Sequence, residues 1–251
     1  MTALITLTVT EARLFLRNPT SVFMALLLPS LLLLLQGFAI PGTMDPIGSD
    51  NPAVVGLRVI DFFVPMSITV ALLSVAVTNY PSAIAAYRDS GVLRRLDVTP
   101  VGPHRVLFAQ WLVSVASFVA AILVTVLLAR AAFGASAPRS VALVAAVIGI
   151  GTLAMMAVGS LIAATAGNAQ VAYGVGMLVF MACLFTAGMW TPGPMMTPAM
   201  QLISGFTPLG AMSQALTSAW YQGTADIVPF IVMSVWAVLC GLISVRTFRW
   251  R

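Results

Sequence analysis

The chain has 251 residues, 60% of them hydrophobic and only 8% charged, with a mean hydropathy of +1.04. Soluble domains carry about 25% charge, so this composition excludes a water-exposed globule and places most of the chain in lipid. The net charge of +5 comes without a basic patch interleaved with aromatics, which argues against a nucleic-acid partner, and every cation is Arg, so the chain has no Lys for a Walker-type nucleotide site.

Residues 1–18 predict an amphipathic helix. Thr6, Thr10, Arg13 and Arg17 fall on one polar stripe, with Leu, Ile, Val and Phe over most of the remaining surface. Such a helix lies in the membrane interface, either as a topogenic anchor or as a partner contact. Asn18-Pro19 breaks it. The apolar run that follows, 21–40, is longer than the core of a cleavable signal peptide and has Glu11 upstream, so it reads as an uncleaved first span.

Further spans are predicted at 60–80, 106–129, 141–164, 170–190 and 227–245, taken from the charge-free intervals and from the small-polar break TAGNAQ at 165–170. Residues 140–225 contain no charged side chain. Six spans put both termini on one side. That side would carry Arg13, Arg17, Arg88, Arg94, Arg95, Arg105, Arg246, Arg249 and Arg251, against Arg58, Arg130 and Arg139 on the other, so the termini are expected in the cytoplasm. The fold class expected is an all-α membrane protein, one transmembrane domain over 1–251.

Six charged residues, Arg88, Asp89, Arg94, Arg95, Asp97 and Arg105, fall between positions 87 and 105. They sit in a loop, 86–104, on the cytoplasmic side. Asp89-Ser90 is expected to cap a short helix bearing Val92, Leu93 and Leu96, with Thr99-Pro100 stopping it and Gly102-Pro103 turning the chain back. Arginines alone would satisfy a topology signal; a bounded helix, apolar on one side, suits docking in a partner's groove. Residues 191–223 are apolar yet rich in Pro and Gly. Thr207-Pro208 reads as a cap and first helical position, and Gly223 as a stop. The segment is expected to form short re-entrant helices on the outer side, with a surface-lying hairpin as the alternative.

Little else carries chemistry. There is no HExxH, no GxSxG and no carboxylate pair on one helix face. Cys183 and Cys240 lie far apart in apolar runs, and His104 lies in a loop, so no metal site is predicted. Asp61, Arg58 and Asp226 fall at span ends, which leaves no mid-membrane carboxylate for an ion-coupled carrier. Gly149, Gly151, Gly159, Gly167, Gly174 and Gly176 suit close helix packing.

The segment RDSGVLRRLDVTPV (88–101), together with Arg17-Asn18-Pro19, six spans and TPLGAMSQAL (207–216), resembles the type-2 ABC transporter permeases, and most closely their daunorubicin-type drug-exporter branch. In that family the charged pair is often Arg-Glu; here it is Arg88-Asp89. The resemblance implies a coupling helix seated on a separate ATP-binding subunit, with contacts from Arg88, Asp89, Gly91, Leu93, Arg94, Arg95, Leu96, Thr99 and Pro100. It implies a connecting helix at the N-terminus with Glu11, Arg13 and Arg17, outer re-entrant helices over 194–221, two ATPase copies and a second permease half, identical or related. ATP and magnesium would bind the ATPase, with no cofactor in this chain. Substrate would pass between the halves, for which Ser67, Ser74, Asn79, Phe180 and Phe185 are candidate lining residues. The function expected is a multi-pass permease of a bacterial plasma membrane exporting a hydrophobic or amphipathic drug-like molecule. The alternatives are a lipid or polysaccharide exporter, an intramembrane enzyme, or an assembly factor.

Overall fold

The computed structural model describes residues 2–47, 56–97, 103–188 and 196–247. Among the described residues there are helices and turns, and an isolated antiparallel bridge between Pro46 and Arg58. The helices are α1 (Thr2–Arg17), α2 (Pro19–Ala39), α3 (Val59–Asp89), α4 (Val92–Asp97) and α5 (Pro103–Phe133). They continue as α6 (Val141–Thr165), α7 (Ala169–Thr186), α8 (Pro198–Phe206), α9 (Pro208–Tyr221) and α10 (Ile227–Thr247). Six of them, α2, α3, α5, α6, α7 and α10, are long and apolar enough to cross a membrane. The chain is a multi-pass, all-α membrane protein.

The break at Asn18 follows from local chemistry. Its side-chain oxygen accepts from the Ser21 N–H at 3.1 Å, and Pro19 takes the first position of α2, where a missing N–H costs nothing. The span expected to end near 80 runs on as helix to Asp89.

The helix α3 is the axis of the bundle. Its apolar stretch is 94% buried, against 17% for α10, so α3 faces protein on every side and α10 faces mostly outward. The hydroxyls of Ser67, Thr69, Ser74 and Thr78 are all buried and each donates to a carbonyl three or four residues back in α3. Small side chains that satisfy themselves in this way let neighbouring helices close in.

Both α2 and α3 contain a one-turn π-helical segment, at Phe23–Leu27 and Ser74–Asn79. Each lies just before a proline, Pro29 or Pro81, and the two segments touch. Proline has no N–H and crowds the carbonyl four residues before it, so the ladder widens by one residue upstream. Pro81 can serve neither Ala76 nor Val77, five and four residues back. Glycines face these two carbonyls: a Cβ on Gly159 of α6 would overlap the Ala76 oxygen, and one on Gly176 of α7 would overlap the Val77 oxygen. Of the other packing glycines, Gly151 is filled against by Met212, whereas Gly149, Gly167 and Gly174 have open space.

The helix α9 starts as its sequence suggests. Thr207 Oγ1 accepts from the Gly210 N–H at 3.2 Å, Pro208 sits at the first turn, and Gly223 ends the segment at φ +73°. It is buried along most of its length against α3, α6 and α10, which rules out a surface-lying position for it. Trp220 Nε1 donates to the Ser136 carbonyl at 3.1 Å and so ties α9 to the α5–α6 loop. Leu202, Ile203 and Phe206 of α8, by contrast, are exposed.

Candidate functional site

The chain's rarest commodity, charge, is used at the end of α3 as the termini of other helices would require. Arg88 Nη2 donates to the carbonyl of Ala163, at 3.1 Å, and to that of Ala166. Those two carbonyls are the C-terminal end of α6, where unpaired C=O groups and the helix dipole favour a cation. Asp89 Oδ2 accepts from the Ala169 N–H, the first residue of α7, at 3.0 Å. That is the opposite end of a helix dipole, where an anion is favoured. One dipeptide therefore clamps both sides of the α6–α7 turn. Asn168 completes it by accepting from the Val171 N–H at 2.8 Å.

This corrects the expectation that Asp89-Ser90 caps the short helix. The Asp89 carboxylate serves α7, 80 residues away. Ser90 Oγ returns to the Ala86 and Tyr87 carbonyls, closing α3. The chain then turns through Gly91 at φ +71°, a conformation that favours glycine, and α4 begins at Val92. Leu93 is buried at 1% exposure beneath α4, which rests on α3 and α5, while Arg95 is exposed. Of the remaining candidates on this loop, the helix includes Arg94 and Leu96, and Thr99 and Pro100 lie outside the described residues.

The N-terminal helix joins the same end of α3. Tyr87 Oη donates to Glu11 Oε2 at 2.6 Å, and Glu11 is buried, while Arg13 and Arg17 are exposed. Burial pushes the Glu11 carboxyl above the usual range, an effect the Tyr87 hydrogen bond opposes. Consecutive residues Tyr87, Arg88 and Asp89 thus tie α3 to α1, α6 and α7.

The five candidate pathway residues do not share one surface. Ser67 and Ser74 are buried and bonded within α3, and Asn79 Nδ2 donates to the Ser21 carbonyl of α2 at 3.0 Å. Phe180 is 2% exposed and Phe185 60% exposed on the same helix. At the opposite end of α3, Arg58 and Asp61 form a two-pronged ion pair, at 2.9 and 3.2 Å, and Arg58 also donates to the Phe133 carbonyl that ends α5. Among the described residues no group of three His, Cys, Asp or Glu side chains could hold a metal.

Sequence reasoning singled out Arg88 and Asp89 but missed what they hold. It missed Tyr87, whose place beside the charged pair in a chain with four tyrosines was the available signal. It missed Gln110 of α5 altogether.

The short loop helix α4 thus follows an end of α3 that is tied to three other helices, in a chain with six helices of membrane-spanning length among the described residues. The chain belongs to the ABC-2 type transporter family, whose model matches residues 2–221. It is an ABC permease subunit, the membrane component of such a transporter, and the family works with an ABC ATPase. No curated relative and no solved structure gives a comparable match.

Proposed function

We propose that this permease exports a hydrophobic or amphipathic small molecule and that α4, with the rest of 88–100, is the lever a separate ATPase subunit moves. Two ATPase copies would serve a pair of permease halves, with nucleotide and magnesium bound on the ATPase side and both permease termini in the cytoplasm. The observation that carries this reading is the fixing of the lever's root. A rigid displacement of α4 reaches α3 directly and α6 and α7 through Arg88 and Asp89. It reaches α1 through Tyr87 and Glu11. A closing ATPase would therefore shift several spans as a body and bias the bundle between two arrangements.

The substrate class is supported by what the apolar bundle lacks rather than by a built polar site: 22 aromatic side chains in all (Phe 13, Trp 5, Tyr 4) leave little to stack along a long glycan. The burial of Ser67 and Ser74 means that a path using them would have to open inside one chain, whereas Phe185 is 60% exposed.

Arg95 offers a clean test because its side chain is exposed and has no ion pair or side-chain hydrogen bond to another described residue. Arg95→Glu is expected to cut co-purification of the ATPase about tenfold, the equivalent of ~1.4 kcal/mol. It should leave membrane insertion and yield unchanged, while Arg139→Glu, exposed on the α5–α6 loop, should change neither. ATPase capture that survives Arg95→Glu would remove Arg95 from the docking face. ATP-dependent uptake of an amphipathic dye into inverted vesicles checks direction and substrate class together.

A further inference from the structure

A polar cavity of about 100 Å³ opens where α1, α2, α3 and α5 meet, at the Arg88 end of the bundle. Glu11 and Gln110 lie in its wall, with Asn18, Asn79 and Tyr87 beside them and Leu14 and Phe15 on the apolar side. Two features set it apart from a packing defect. Gln110 is 7% exposed and lines the cavity, and no hydrogen bond joins its amide to another described residue, so its polar atoms are open to the cavity. Glu11 is 6% exposed and has the Tyr87 hydroxyl as its hydrogen-bond donor, at 2.6 Å. Among the described residues no Arg lines the cavity, so the carboxylate has no cation. A buried carboxylate without a counter-charge is costly, and the cost is relieved by a cation that brings its own hydrogen-bond donors.

The surroundings indicate where such a cation comes from. Leu14, in the cavity wall, is 49% exposed, and Ile5, Val9 and Leu16 of the same helix are exposed as well. An interfacial helix with bare apolar side chains lies among lipid headgroups and upper acyl chains. A primary ammonium brings three hydrogen-bond donors for the acceptors in this wall, whereas a trimethylated one brings none.

We propose that this cavity binds a primary ammonium group, supplied by the headgroup of an aminophospholipid such as phosphatidylethanolamine, with Glu11 as counter-ion and the Gln110 amide oxygen as a second acceptor. The lipid would then fasten α1 to α3 beside the Tyr87 contact. The inference concerns a lipid held by the permease and stands whatever molecule is exported.

The test uses the full-length chain in a neutral detergent, with melting temperature read after addition of phosphatidylethanolamine, phosphatidylcholine or phosphatidylglycerol, and separately of free ethanolamine. Phosphatidylethanolamine is expected to raise the melting temperature by about 5 °C more than either other lipid. Glu11→Gln keeps an acceptor for Tyr87 and should fold, with that excess lost. Gln110→Leu removes the second acceptor without touching Glu11 and should at least halve the excess. Equal shifts from all three lipids, or an excess that survives Glu11→Gln, would overturn the site. A response to free ethanolamine with none to the lipid would overturn the lipid as its source and leave a soluble amine as the ligand. Should Glu11→Gln fail to fold, the Gln110→Leu result decides: an undiminished excess rejects the proposal.

Discussion

Arg88→Ala should abolish ATP-driven transport while leaving the protein in the membrane. The side chain donates to two carbonyls at the end of α6, and hydrogen bonds from a charged donor contribute about 1.5–3 kcal/mol each, with the dipole interaction in addition. Both carbonyls lose their donor in the variant. A loss of about 3 kcal/mol corresponds to a fall in melting temperature of roughly 6–12 °C for a chain of this size. Arg88→Lys keeps the charge but not the two-pronged reach, so it should recover part of the stability. Asp89→Asn retains an oxygen for the Ala169 N–H and should cost about 1 kcal/mol or less, while Asp89→Ala should cost more. If the role of the pair is positional, transport will track the α6–α7 contacts and ATPase binding will hardly move, which the same co-purification measures. Arg88→Ala with full transport would mean that the clamp carries no motion.

The second large effect is steric. Gly159→Val places a branched side chain where the Ala76 carbonyl oxygen stands. The obstacle is backbone in the most buried helix of the bundle, so it cannot step aside as a side-chain tip would. Overpacking of a tight core costs about 1–3 kcal/mol even when side chains can adjust, and more is expected here. The folded, monodisperse fraction after purification should collapse. Gly176→Val should behave alike, against the Val77 oxygen. Gly149→Ala and Gly174→Ala, with nothing within 4 Å, should be neutral or slightly stabilising, since alanine is the better helix former. Wild-type yield from Gly159→Val would show that α3 and α6 do not meet as closely as described.

The contrast among these glycines marks where sequence reading stopped. Five glycines in two spans, and Gly167 in the turn between them, look alike in the sequence, and small residues suit close packing in general. Only the placement of the Ala76 and Val77 carbonyls, set by Pro81, separates Gly159 and Gly176 from the rest. Signals that act within a turn were readable. Asn18-Pro19 and Thr207-Pro208 work through contacts three residues long, and both are found where the residue types put them. Asp89 has the same chemistry, but its partner is remote, so local grammar assigned it to the wrong helix. Leu93 shows a related limit. An apolar side on a short helix says that something covers it, and here this chain's own α3 and α5 do, beneath the loop. Hydropathy could not single out α3 as the axis, because lipid-facing and protein-facing spans are equally apolar. Its hydroxyls bond within the helix, but so do those of Thr152, Ser160 and Thr165 in the less buried α6, so they do not mark the axis either.

The α6–α7 hairpin has no ionised side chain of its own with which to choose a direction across a bilayer. Its terminators leave the ribosome 75 to 80 residues earlier, as Arg88 and Asp89. A nascent hairpin thus finds both moorings already berthed, and inherits its heading from a segment translated before it. A gene split between 139 and 140 would put that heading at risk: the downstream polypeptide alone should enter in mixed directions, and supplying the upstream one in the same cell should restore a single one.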